Sequence, residues 1–278
     1  MAPSNDPDET TLNREAKWIL QWYKEWLKEN TEPESDVIKT IDLGKPQGRF
    51  ELLILARLFN NRLKEEKAID YLKALKQWFL NKGHVYLAKN RQVGMIDIDV
   101  VRNPRHSLHD GFKTIITNGF LDLPVWVRNL NYRGFVCCAQ EFSETDLIRY
   151  TEDVSVGDLS DVIWVRLKKC GIYVKSFLII REMYKAGIWK LSNEDLWMCC
   201  VPDSKVRTYL NDMGFVREEH RIERNQREYT LPQLKQYSKI IWKYFNEPFE
   251  DRYFDLPIFR YLKEANEISS DEFERLGT

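Results

Sequence analysis

The chain has 278 residues, of which 43% are hydrophobic and 31% charged, and its net charge is −1. These values exclude a disordered chain and a small disulfide-stapled module, and they allow one large domain or two lobes with a real core. They also exclude a partner held by bulk charge alone, and no apolar run approaches membrane-spanning length. The charge is unevenly placed. Residues 1–36 and 247–278 each carry nine acids and four bases, which leaves the middle of the chain at +9. A basic body between acidic ends is compatible with a phosphate-binding face, and equally with ordinary solvated helix faces. The five cysteines (Cys137, Cys138, Cys170, Cys199 and Cys200) have no zinc or iron–sulfur spacing. Odd in number, they read as core thiols of a reducing compartment. The polar, acidic stretch Met1–Thr11 lacks the pattern of a signal peptide.

In chain order, residues 1–9 read as a tail. Thr10 or Thr11 then caps a helix to about Asn30, with Ile19, Trp22, Tyr23, Trp26 and Leu27 at helical spacing on one apolar face. Thr31–Gly48, with two prolines, reads as a linker. Phe50–Phe59 is apolar nearly all round, which suits a helix in the middle of a bundle. Asn60, Asn61 and Arg62 interrupt it at a helix end. A helix over about 65–81 follows, burying Ala68, Leu72, Leu75 and Phe79.

Val85–Leu87 and Met95–Val100 suggest a short β-hairpin with Asp97 and Asp99 on one strand face, either a solvated edge or a metal pair. His106–Asn118 reads as a helix; His106 and His109 share a face, but no His-Glu motif accompanies them. Gly119–Gly134 reads as a proline- and aromatic-bearing loop with short helical pieces. Further helices are expected at 142–149, 159–169, 193–198, 203–213, 231–245, 255–265 and 270–276, with Gly214 as a C-cap.

The chemistry concentrates around Gly171. A basic segment with Arg166, Lys168 and Lys169 meets that glycine, and a second helix starts with Lys175 in its first turns. This is the logic of a helix–hairpin–helix: glycine lets the backbone turn tightly and approach a phosphate, and the next helix offers unpaired N–H groups. The spacing puts Lys175 about one turn inside that helix. Nearby cations and desolvation favour its neutral, nucleophilic amine, which can attack C1′ of a deoxyribose. Asp203, after Pro202, opens a later helix; it either steadies positive charge on the sugar or caps the helix.

The chain resembles the helix–hairpin–helix DNA glycosylase superfamily, which includes endonuclease III and the 8-oxoguanine glycosylases. Three stretches carry the likeness in the right order: Phe50–Ile54 is similar to the buried helix that opens the family's barrel, Gly171-Ile172-x-x-Lys175-Ser176 to its hairpin, and Asp203-Ser204-Lys205-Val206, with Asn211 and Phe215 beyond, to the helix that carries its catalytic aspartate. Phe254–Leu262 resembles a terminal helix of the family. The resemblance covers about half the chain. It departs at Tyr173, which stands for the hairpin's second glycine, and at Cys170, which stands for the preceding proline. The family's four-cysteine iron–sulfur loop is absent. Lys175 and Asp203 are 28 residues apart, a spacing similar to that of archaeal 8-oxoguanine glycosylases.

The resemblance implies an all-α, two-lobed helical bundle with a helix–hairpin–helix. One lobe spans 46–190; the other joins residues 1–45 to 191–278, with a cleft between them. It implies a DNA glycosylase with AP-lyase activity on a damaged, oxidised base. Lys175 and Asp203 would be catalytic, with Lys168, Lys169, Gly171, Tyr173, Asn61 and Arg62 on DNA and Asn61 as the wedge in the duplex. It implies no cofactor and no metal. The partner is double-stranded DNA with a damaged base, met by a monomer away from membranes, cytoplasmic on the nucleoid or nuclear in a eukaryote. A monofunctional glycosylase and a non-catalytic DNA-binding protein of the same fold are the alternatives.

Overall fold

The computed structural model describes residues 9–60, 65–86, 95–118, 123–149, 155, 159, 163–222, 230–246 and 253–264. Asn61, Arg62, Leu87 and the helix expected at 270–276 lie outside them. The described residues are helical and contain no strand. The chain divides into two compact units, one of residues 31–192 and one of residues 1–30 with 193–278.

In the second of these units, α1 (Glu9–Glu29) buries Leu12, Ala16, Ile19, Leu20 and Tyr23, an i, i+4, i+7, i+8, i+11 stripe. Trp22 and Trp26 sit at the edge of that stripe rather than in its centre. Both Trp18 and Trp22 meet Tyr261 edge-on, and the Arg260 guanidinium lies over Trp26 at 5.1 Å.

The unit of residues 31–192 begins where a linker is expected, and the structure corrects that expectation. Pro33–Lys39 forms α2, packed on α4 (Glu65–Tyr86), with Val37 and Ile38 buried. Pro33 starts the helix because a proline at the first helical position gives up only an N–H that would be unpaired anyway. Between these two, α3 (Pro46–Asn60) is buried along almost its whole length and packs on α4. Its all-round apolar sequence requires neighbours on every side.

Three charged side chains go inside with α3. Arg49 donates to the carbonyls of Leu43, Gly44 and Leu147. Glu51, 0% exposed, pairs with Lys76 at 2.8 Å and accepts the Ile96 N–H at 3.1 Å. Burial raises the Glu51 carboxyl above its ordinary range, although Lys76 works against this. A raised folded-state value means that its stabilisation is complete below the ordinary glutamate pKa and lost as pH rises through the raised one. Glu51→Gln is therefore expected to flatten the pH dependence of the urea midpoint in that window. An unchanged slope would contradict the assignment. Arg57 is the third charged group, described with the site.

Among the described residues of the expected hairpin, Val85, Tyr86 and Met95–Val100, there is no strand. Residues 65–86 form one helix that includes Val85 and Tyr86. Asp97 caps α5 (Ile98–Arg102), accepting the Asp99 N–H at 2.8 Å, and Asp99 pairs with Arg102. α6 (His109–Asn118) follows. The His109 ring is buried between the Val100 carbonyl at 2.8 Å and the Tyr132 hydroxyl at 3.0 Å, so it packs rather than binds metal. The expected loop through Gly134 is instead largely helix: α7 (Val125–Glu141) runs straight through that glycine and packs on α3, α5 and α6. Then come α8 (Glu144–Arg149), α9 (Trp164–Lys169) and α10 (Ser176–Lys185); α8 and α10 pack on α3, and α9 on α7. An apolar cavity of about 30 Å³ lies among Leu52, Leu53, Leu167, Ile179, Met183 and Trp189, room for about one water.

The other unit resumes with a 3₁₀ segment (Asn193–Cys199), α11 (Ser204–Asp212), α12 (Leu231–Phe245) and α13 (Leu256–Glu264). α1 packs against α12 and α13, and α12 against the 3₁₀ segment. Thr230 and Gln233 form a capping box at the start of α12. Asn211 accepts from the Tyr237 hydroxyl and donates to the Ile222 carbonyl, tying α11 to α12. Phe254 has φ 58°, an unusual value for a bulky residue; Asn246 holds it by bonding both its N–H and its carbonyl.

Candidate functional site

The turn between α9 and α10 is built by one glycine and one arginine. Gly171 (φ 72°) ends α9: its N–H bonds the Lys168 carbonyl at 3.0 Å, and the Ile172 N–H bonds the Leu167 carbonyl at 2.8 Å. This pair of bonds is a Schellman closure, which calls for a left-handed residue at that point. The chain then turns through Tyr173, whose carbonyl accepts the Ser176 N–H at 3.0 Å and its hydroxyl at 2.8 Å.

Arg57 reaches this turn from α3. One guanidinium nitrogen donates to the Gly171 carbonyl at 3.1 Å and another to the Leu130 carbonyl of α7 at 3.2 Å; the Asn60 amide adds a bond to Gly171 at 2.8 Å. Both neighbouring glycines make room for it. A Cβ on Gly134 would sit 2.2 Å from Arg57 Nε, and one on Gly171 2.9 Å from Arg57 Cζ. Cys137, Cys138 and Cys170 lie near enough to act electrostatically on the same guanidinium. Cys137 and Cys170 bring their sulfurs to 3.0 Å, and burial pushes the Cys137 thiol up to about 12. All five cysteines are free thiols.

Gly171→Ala should therefore lose stability twice: through the left-handed backbone, by roughly 1–2 kcal/mol, and by pushing Arg57 aside. A lowered urea midpoint checks it; an unchanged midpoint would contradict this account of the turn.

Lys175 is the N-cap residue of α10, one position before the helix rather than a turn inside it, with φ −72° and ψ 0°. Its side chain is only 8% exposed, and its ammonium lies 5.8 Å from the centre of the Phe59 ring on α3. Behind it α10 is buried from Ser176 to Met183, which fixes the base of the lysine firmly. Lys168 is exposed; Lys169 is exposed and meets Glu141 at 3.3 Å. Arg166 lies over the Phe142 ring at 4.5 Å and pairs with Asp146, so its charge is spent on packing. Tyr173 is half-buried.

Asp203 belongs to the other unit. It caps α11, its carboxylate accepting the Lys205 N–H at 3.2 Å and the Ser204 hydroxyl at 3.3 Å. The capping role that the sequence allowed is thus present, and the side chain is partly exposed.

The sequence reading missed Arg57 and Asn60 as builders of the turn. The available signal was a basic residue inside an otherwise apolar helix. Among the described residues no cluster of three or more His, Cys, Asp or Glu side chains is placed to hold a metal ion, and no helix is long and apolar enough to cross a membrane. No family model, curated protein or solved structure matches the chain.

Proposed function

We propose that the chain is a DNA glycosylase with lyase activity, in which Lys175 is the nucleophile. The observation that carries this reading is the α9–Gly171–α10 turn. It sets a mostly buried amine at the head of a rigid helix, one short loop from the exposed lysines Lys168 and Lys169. A flipped nucleotide would meet that amine. The Lys175 nitrogen forms a bond to C1′ as the bond from C1′ to the base breaks, and the base departs with a proton. The sugar ring opens to a Schiff base. Loss of a C2′ proton then expels the 3′ phosphate, and water returns the free amine. No redox partner is needed.

Duplexes carrying single oxidised, deaminated or alkylated bases test the proposal. The expected result is release of an oxidised base together with a nicked strand. Abasic sites that accumulate without nicking would instead mean that water, rather than the amine, displaces the base. A second reading, DNA binding without turnover, is favoured by Tyr173 in place of a glycine. Binding with no product on any of these duplexes would establish it.

A further inference from the structure

We infer that the exposed faces of α7 and α9 form a surface that holds a DNA strand, with Trp126 and Leu130 against bases and Arg133, Lys168 and Lys169 against phosphates. The inference rests on the DNA reading above and adds to it the side chains that grip the strand.

Among the described residues, the large apolar side chains left in solvent are Val125, Trp126, Leu130 and Val165, at 60%, 64%, 41% and 48% exposure. All four lie on α7 or α9, two helices that pack on each other. Trp126, Leu130 and Arg133 follow i, i+4, i+7 spacing, and Val165, Lys168 and Lys169 follow i, i+3, i+4. Each set therefore occupies one helix face. The Arg57 guanidinium bonds Leu130 and Gly171 together, and Cys137 touches Cys170, so the end of α9 is locked beside α7.

The charge of these helices identifies the occupant. They hold five basic residues (Arg128, Arg133, Arg166, Lys168, Lys169) and one acid, Glu141. Glu141 pairs with Lys169 and with Arg166, which also meets Asp146, so the charge left over is that of the exposed Arg133 and Lys168. Exposed aromatic and aliphatic groups beside such an excess of cations suit a polyanion that also presents flat apolar faces, which is a nucleic-acid strand. An apolar patch kept in water without such a partner is uncommon on a folded surface.

Anisotropy of a short labelled DNA strand, single-stranded or paired across one unpaired base, tests this. Trp126→Ala is expected to weaken binding roughly tenfold, while Trp126→Phe keeps most of it. The double variant Lys168→Ala with Lys169→Ala should flatten the salt dependence without changing the tryptophan effect. Because binding is read apart from cleavage, a Trp126-dependent complex that never cuts DNA upholds this inference while the glycosylase reading fails. DNA cutting and binding that ignore Trp126→Ala would overturn the inference alone. Two other results would also overturn it: a dimer in sedimentation that Trp126→Ala dissolves, or Trp126-dependent adsorption to phosphatidylserine vesicles without DNA affinity.

Discussion

Lys175→Gln protein is expected to release and nick damaged DNA about a thousandfold more slowly than the parent chain, or not at all. Glutamine is one atom shorter than lysine and stays polar, but it carries no amine. The N-cap position carries no side-chain cap bond that the change would break. The variant should therefore fold, and loss of the contact between an ammonium and an aromatic face costs on the order of 1 kcal/mol. Rates measured on the oxidised-base duplex, beside a urea midpoint for each protein, separate a chemical loss from a structural one. A Lys175→Gln protein as active as the parent would remove the lysine from the mechanism.

Arg57→Ala is expected to be the most destabilising single change near the site, by about 3 kcal/mol. The guanidinium is buried, and burial holds its pKa below the ordinary arginine value. It is stabilised by two backbone carbonyls on two other elements. Removing it strips the Leu130 carbonyl of that bond, leaves Gly171 with Asn60 alone, and opens a void between α3, α7 and the turn. Gly134→Ala approaches the same contact from the opposite side. Its new methyl would collide with Arg57, costing roughly 1–3 kcal/mol. With Arg57 already removed, the same methyl should be harmless. The double variant is therefore expected to be more stable than the two single effects would sum to, a coupling that urea titration measures directly. Strict additivity would mean that the arginine and the glycine do not share this space.

The main helices were legible wherever local pattern decides. The all-round apolar run of α3 announced a buried central helix, and Ala68, Leu72, Leu75 and Phe79 do lie inside. Errors arose where a residue has two local meanings. Pro33 read as a linker residue but starts α2, because proline both breaks and begins helices. Gly134 read as a loop residue but lies within α7, because its missing side chain serves Arg57 rather than a bend. Asp97 alternated with apolar neighbours like a strand residue, yet it caps a helix. For Gly134 the deciding partner, Arg57, is distant in sequence, and the same arginine finds Gly171 114 positions away. The site was legible in part. Gly171 and the lysines were visible as a motif, whereas the guanidinium that fastens the turn was not, since no periodicity links it to its acceptors. Trp126 was hidden among nine tryptophans, and only solvent exposure distinguishes it.

In the proposed reaction one particular amine, that of Lys175, joins DNA. Borohydride reduction during the reaction, followed by proteolysis and mass spectrometry of the DNA-linked peptide, reads out which residue does so. The expected product is a sugar adduct on Lys175 within the Ile172–Arg181 region. An adduct confined to another lysine, or none while the strand is still being nicked, would contradict it.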